Sequence, residues 1–513
     1  MSDTFPEGWV VATIGDLISP AGVFGDGDWV ESKDQDPSGD VRLIQLADVG
    51  DGGYLNKSSR FLTSKKAVEL KCTFLEADDV LIARMPDPLG RACLFPGDAK
   101  RSVTVVDVCI VRTGSEINHR WMIWAVNSPQ FRGAIASLQS GSTRKRISRG
   151  NLATLCLPVP PAHEQVRIAA EIERQVSRLD SAVTSLKRVQ NELARYRASV
   201  LKAACEGRLV PTEAELARAE GRGYEDAQSL LERVLASRSS ACAGRRKKAD
   251  PTSPPLDLNG LPEGWTRSTL NAISDLKGGL TKGQRRRAGE ILRPVPYLRV
   301  ANVQRGWIDL IEVKEIEATD EEVRDLALIP GDVLFNEGGD RDKLGRGWVW
   351  QGQIPVCIHQ NHVFRARILG ELIDPKLLSW YGNTFGQQYF ISEGKQTTNL
   401  ASINLTKLGA LPVPIPPKAE QIRIVAEIEC RLSIADEIAA TIDAALARAA
   451  RLRQSILKRA FEGKLVPQDP NDEPASALLE RIRKEREAAA SDPASKPKRS
   501  RHAAARPRKA RAL

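Results

Sequence analysis

The sequence predicts an α+β protein built twice. Two mixed α/β globules are separated by an antiparallel two-helix coiled coil, an internal duplication with pseudo-twofold symmetry. Three observations predict it. First, three blocks recur at one spacing of 256 residues in a chain of 513. Phe5-Pro6-Glu7-Gly8-Trp9 returns as Leu261-Pro262-Glu263-Gly264-Trp265. Pro160-Pro161-Ala162-His163-Glu164-Gln165 returns as Pro416-Pro417-Lys418-Ala419-Glu420-Gln421, and Glu206-Gly207-Arg208-Leu209-Val210-Pro211 as Glu462-Gly463-Lys464-Leu465-Val466-Pro467. Second, the stretch before each proline block alternates short β-type runs with Gly, Asp and Pro. Third, the stretch after it keeps apolar residues at steps of three and four for about five heptads.

The elements follow in chain order. Residues 1–158 form the first globule. Its strand-like runs are Val41–Leu46, Asp79–Ala83 and Val103–Val111, followed by a helical stretch near 119–138. The proline cluster at 158–161 stops the last strand and opens a central helical region, 159–236. It holds a long helix over 162–206 and a further short one. The seam of the long helix is Ile168, Ile172, Val176, Leu179, Val183, Leu186, Leu193, Tyr196 and Val200. Gly207 stands at the C-terminal cap and Pro211 blocks continuation. Residues 237–260, rich in Ser, Lys, Arg and Pro, read as a linker.

The second globule, 261–414, offers the runs Val295–Val300, Asp332–Phe335 and Ile354–Ile358, with helix near 374–393. The distal helical region, 415–490, holds a long helix over 418–462 and a short one. Its seam is Ile424, Ile428, Leu432, Ala435, Ile438, Ile442, Ala449, Leu452 and Ile456. Residues 491–513 are Ala, Pro, Lys and Arg, a basic tail expected to be disordered. Each long helix spans about 65 Å at 1.5 Å per residue. One amphipathic helix of that length cannot bury its seam alone. Its duplicate is the nearest partner, and a chain that goes out along one helix and returns along the other pairs them antiparallel. The alternative is that each helix packs on its own globule.

The net charge of +10 favours a polyanionic partner. No apolar stretch approaches the ~18 residues that would cross a bilayer. The opening residues show no basic segment followed by an apolar core, so no secretory signal is expected. The eight cysteines contain no C-x-x-C pair, so reduced thiols in the cytoplasm are expected.

The sequence carries none of the common catalytic patterns. There is no phosphate loop, dinucleotide fingerprint, H-E-x-x-H or G-x-S-x-G. No catalytic or metal residue is assigned; His359 and His362 sit in a strand-like segment without a carboxylate at ligand spacing. The chain reads as a recognition protein without an active site or cofactor of its own. Its candidate binding residues lie in loops. The first set is Ser142, Thr143, Arg144, Lys145, Arg146 and Arg149, with its counterpart Lys395, Gln396, Thr397 and Asn399. These groups can grip phosphates and read base edges. A second set, Lys282, Arg285 and Arg286, looks like a phosphate grip; the matching stretch Gly22–Trp29 of the first globule is acidic. A third set follows the Asp-Val-Leu run in each copy: Arg84 and Arg91, then Arg341, Lys343 and Arg346. The alternative for each set is a solvated turn. The helices and their flanks stay alike between repeats while the globules diverge. Like arms suit two copies of one partner, and unlike globules suit two different targets.

Taken together, the Leu-Pro-x-Pro-Pro-x-x-Glu-Gln block at 157–165, its copy ending Glu420-Gln421, the Glu-Gly-[Arg/Lys]-Leu-Val-Pro helix ends and the Pro-Glu-Gly-Trp segments resemble a specificity (S) subunit of a type I restriction-modification system. The likeness runs twice over nearly the whole chain. It implies that each globule is a target recognition domain reading half of a bipartite double-stranded DNA site. It implies that the paired helices fix the spacer and dock two methyltransferase (M) subunits, with restriction (R) subunits as further partners. S-adenosylmethionine, ATP and Mg would then belong to those partners. The basic tail and the linker depart from the pattern. Two other classes stay open: an enzyme with its own chemistry, and a coiled-coil DNA-binding scaffold or regulator without a methyltransferase.

Overall fold

The computed structural model describes residues 5–86, 88–141, 144–241, 260–287, 289–339, 343–396 and 401–491. Most of the expected linker and nearly all of the basic tail lie outside the described residues. The chain forms two compact units, 1–186 with 444–513, and 187–443. Both boundaries fall inside the long helices, Ala162–Cys205 and Lys418–Phe461. Each unit therefore holds one globule, the start of that globule's own helix and the end of the other repeat's helix.

In the first unit Val23–Asp26, Val108–Arg112, Val80–Ala83 and Ala92–Leu94 form an antiparallel sheet in that order. Phe61–Leu62, Val41–Ile44 and Ser102–Thr104 form a second sheet, its last pair parallel. Val10–Thr13 pairs with Cys156–Val159 and joins the two ends of the globule. In the second unit the same plan recurs. Ser274–Gly278, Val363–Ile368, Val333–Asn336 and Gly347–Val349 form one sheet. Lys314–Ala318, Arg293–Leu298 and Ile358–His359 form the other. Thr266–Thr269 pairs with Pro412–Ile415. Two diverged sequences thus keep one strand order.

The repeated Asp-Val-Leu runs have a physical cause. Asp79 and Asp332 are fully buried. Arg112 grips Asp79 with two bonds of 2.6 and 2.7 Å, and Arg367 grips Asp332 with two of 2.8 Å. Each aspartate also accepts a main-chain N–H from three residues back, Glu76 or Ile329, at 2.8 Å. A buried carboxylate persists only when neutralised in this way. The paired carboxylate in turn holds each arginine above its ordinary value.

Several expected elements differ in detail. The run 103–111 is not one strand. Val108 N–H bonds Val105 O at 2.9 Å, a turn that carries the chain from the three-stranded to the four-stranded sheet. In the run 354–358 only Ile358 joins a strand; Pro355 lacks the donor that a strand interior requires. The stretch 119–138 is two helices, His119–Val126 and Pro129–Leu138, the second capped by Ser128 with Pro129 at its first position. Pro375–Asn383 and Phe385–Glu393 repeat that break. After the first long helix come two helices, Glu213–Glu220 and Ala227–Ala241. After the second comes Ala475–Ser491.

The long helices meet within each unit. In the first, Arg453 donates to Asp180 at 3.0 Å. In the second, Gln190 donates to Asp443 at 3.2 Å and Arg197 pairs with Asp436 at 2.7 Å. Seven residues forward on one helix match seven back on the other, so the segments run antiparallel there. The seam needs one correction. Tyr196, Ile438 and Leu452 are 41%, 41% and 44% exposed. Arg197 and Arg453 take the inward positions instead, and they also donate to Ala435 O and Asp51 O at 3.0 Å. Helical turns of 3.6 residues drift against a strict heptad. A long arginine stem can also fill a seam while its head finds a carboxylate.

The three repeated blocks converge on one junction in each unit. In the first, Trp9 Nε1 donates to Glu164 at 2.9 Å, and Gln468, just past the second long helix, donates to the other oxygen at 2.5 Å. Gln165 donates to Pro160 O at 3.0 Å and accepts from Asn118 N–H at 2.9 Å. In the second unit Trp265 donates to Glu420 at 2.8 Å, and the Glu213 N–H, past the first long helix, donates at 2.9 Å. Gln421 donates to Pro416 O at 2.9 Å and accepts from Asp374 N–H at 2.8 Å. Ion pairs Arg167–Asp472 and Arg423–Glu213, both 2.7 Å, close the two junctions. Burial pushes the Glu164 and Glu420 carboxyls up. Each unit is thus locked by a segment of the other repeat, and the likeness of the blocks follows from that internal fit.

Candidate nucleic-acid interface

Each globule carries a short hairpin just after the helix Pro129–Leu138 or Phe385–Glu393, anchored at the end of an inner strand. In the first, Ser140 and Arg146 exchange two main-chain bonds of 2.9 and 2.8 Å. In the second, Lys395–Gln396 pairs with Ala401–Ser402, which also pairs with Gly338–Gly339. The anchors are equivalent. Ile147 N–H donates to Arg84 O at 3.2 Å, and Ile403 N–H to Glu337 O at 2.8 Å. One step below, Arg84 N–H bonds Asp107 O at 2.8 Å, and Glu337 N–H bonds His362 O at 2.9 Å. The main-chain frame is shared, and the side chains on it are not.

The sequence-predicted residues divide against this frame. Arg144, Lys145 and Arg146 are exposed on the first hairpin, and Arg149, also exposed, opens the short helix beside it. Ser148 caps that helix, accepting from Asn151 N–H at 3.0 Å. Lys395 and Gln396 lie in the first strand of the second hairpin. Ser142, Thr143, Arg341, Thr397 and Asn399 lie outside the described residues.

The other cations are more engaged than a surface loop suggests. Arg91 is 8% exposed and reaches Val49 O, Leu46 O and Pro88 O at 2.6, 2.8 and 3.2 Å. It is an internal brace, not the surface cation the loop sequence suggested. Arg84 is half-buried, pairs with Asp26 and donates to Ile147 O and Val106 O at 3.0 and 3.3 Å. Arg286 is held by Glu322 at 2.8 Å and by Glu317 O at 2.7 Å, whereas Lys282 and Arg285 are exposed. Arg346 donates to Val300 O at 3.1 Å, and Lys343 is half-buried. Desolvation lowers the His359 imidazole to about 4, and its Nδ1 meets Val363 O at 2.7 Å. Sequence reasoning missed the pair His362–Glu337, 2.5 Å apart, because its partners stand 25 residues apart and meet only across the sheet. Among the described residues no helix is long and apolar enough to cross a membrane.

No protein-family model matches the chain. The chain is similar to curated specificity subunits of type I restriction enzymes. The EcoBI specificity subunit of Escherichia coli is 28% identical over 380 residues, covering 72% of this chain and 73% of that one. The EcoKI specificity subunit of Escherichia coli (strain K12) is 25% identical over 381 residues, 72% of each chain. Among solved structures, a chain from a type I R-M system studied for its complex assembly and conformational transition matches with a TM-score of 0.54. It is 18% identical, and the match covers 90% of this chain and 99% of that one. The resemblance read from the repeated blocks therefore holds in sequence, and the fold agrees with it.

Proposed function

We propose that this chain is the DNA-recognition subunit of a type I restriction-modification complex. Each globule reads one half of a bipartite double-stranded site, and the antiparallel pair of long helices sets the spacer. The chain has no chemistry of its own and works in the cytoplasm. It directs two methyltransferase subunits that bring S-adenosylmethionine and methylate adenine; restriction subunits with ATP and Mg would complete the assembly.

One observation carries this reading. Both globules hang a hairpin on the same main-chain frame, yet the side chains on it differ, arginine and lysine against lysine and glutamine. A shared scaffold with unlike tips suits two different half-sites. Two weak half-site contacts on one chain add through effective concentration. Docking of a partner taken up twice is supported by apolar side chains exposed at matching positions of both repeats. Val166 and Ile422 are 52% and 63% exposed, and Tyr196 and Leu452 are 41% and 44%.

The test is the methylome of a methylation-free host carrying this gene and its neighbours, compared with the same host lacking this gene alone. A bipartite adenine mark that vanishes with the gene is the expected result. Methylation that persists without the gene would overturn the reading and favour the scaffold or regulator.

A further inference from the structure

We infer that Glu337, held by His362, is a base-reading group of the second globule that takes an exocyclic amino donor, cytosine N4 in the first place. The inference rests on the DNA-recognition reading above and names a residue within it.

The position is defined by the duplication. Arg84 and Glu337 occupy one place in the two globules, each donating its N–H to the residue just before the neighbouring strand and each accepting from the isoleucine at the hairpin foot. Their charges are opposite, and so are their fates. The Arg84 side chain is 16% exposed and is consumed internally by Asp26 and two carbonyls. Glu337 is 28% exposed, and its partner His362 is 54% exposed. Where the first globule neutralises this position inside itself, the second leaves a carboxylate–imidazole pair on the surface beside its hairpin.

The chemistry of the pair narrows the ligand. His362 Nδ1–H donates to Glu337 Oε2 at 2.5 Å. That bond holds one carboxylate oxygen and leaves Oε1 as an acceptor. A carboxylate repels phosphate, so at a DNA surface it cannot serve backbone binding. The groups that suit it are base amino donors, and glutamate accepting from cytosine N4 is the major-groove pairing of that kind. Wherever the base offers an acceptor instead, two lone pairs face each other, so the carboxylate also rejects wrong sequences.

The experiment compares the methylomes left by wild-type, Glu337→Gln and His362→Ala chains with their methyltransferase partner. Glu337→Gln keeps size and can still accept from His362, so the fold is retained. The expected result is relaxation at one base position of one half-site by about 5- to 150-fold, with the other half-site unchanged. His362→Ala should weaken the same position and no other. If both variants mark the wild-type sequence with wild-type discrimination at every position, this inference is overturned while the recognition reading stands. Relaxation of all positions equally would also overturn it, since that is the signature of lost stability. A wild-type chain that directs no bipartite mark removes the recognition reading, and this inference with it.

Discussion

Gly463 caps the second long helix with φ +68°, and a Cβ there would stand 2.2 Å from Cγ and 2.6 Å from Cδ of Pro6. Alanine therefore meets two costs. The left-handed backbone costs ~1–2 kcal/mol for a residue with a side chain. Overpacking against a proline ring costs ~1–3 kcal/mol, eased as Pro6 shifts. Together these give about 2–5 kcal/mol, or a melting point lower by about 4–20 °C in a unit of this size. Gly207 is its twin, with φ +66° and a Cβ position 2.3 Å from Pro262 Cγ and 3.0 Å from Trp265. Its alanine variant should lose a similar amount, and the two losses should add because the sites share no partner. Gly133, inside the helix Pro129–Leu138, has nothing within 4 Å of its Cβ position. Gly133→Ala should stabilise by about 0.5–1 kcal/mol. Scanning calorimetry on the three single variants decides the matter. Gly463→Ala melting within a degree of wild type would refute the close packing of the helix end on Pro6.

The buried carboxyls, a buried ion pair and the exposed hairpin each give a further outcome. The Glu164 and Glu420 carboxyls are raised by burial, so the folded chain holds their protons more tightly than the unfolded one. Stability from these groups is complete below the usual glutamate range and falls as pH rises through the folded values. The difference between wild type and Glu164→Gln in denaturant midpoint should shift in favour of the glutamine as pH rises from 4 to 7, and a flat difference would contradict it. Arg367→Met leaves Asp332 buried without its cation and should cost about 3–5 kcal/mol. Adding Asp332→Asn should recover part of that, read by urea unfolding. Arg144→Ala, if the arginine reads a base, should relax one position of one half-site by about 1–3 kcal/mol. Equal weakening on all sequences in a binding titration would assign it to phosphate instead.

Much of the architecture was legible because its signals are local. Proline before a helix, glycine after it and a steady apolar period mark ends and faces without reference to the rest of the chain. The long helices Ala162–Cys205 and Lys418–Phe461 stand within a residue of those signals. What stayed hidden depends on neighbours distant in sequence. The turn inside 103–111 is hidden because its residues are nearly all β-branched, and only the move from one sheet to the other bends them. Arg197 and Arg453 fall outside the apolar seam pattern, and only the carboxylates of Asp436 and Asp180 across the seam give them a place there. Arg91 read as a loop cation, yet three carbonyls surround it. Arginine is the residue that local patterning handles worst here, since its stem is apolar and its head is satisfied by any converging set of acceptors.

The two repeats are most alike where each packs on the other's helix end. Likeness between the repeats first suggests selection by a partner met twice. Yet Trp9 with Glu164, and Trp265 with Glu420, are joined by buried hydrogen bonds, Gln468 and the Glu213 N–H close on the same two carboxyls, and Gln165 and Gln421 bond the carbonyls of Pro160 and Pro416. Those blocks are alike because each must fit the end of the other repeat's helix, and a change in one would leave a buried carboxylate or indole without its partner. Internal fit accounts for these junction residues, so they carry no information about what the surface binds; the exposed Val166 and Ile422 beside them lie outside that fit. That information lies where the frame is kept and the side chains are not. The pair Arg84 and Glu337 is such a place, with one set of main-chain bonds and opposite charges. On the proposed reading, a duplicated protein with two different half-sites needs the junction held constant and the hairpin surroundings free to vary, and the kept junction bonds and the unlike side chains at Arg84 and Glu337 accord with that.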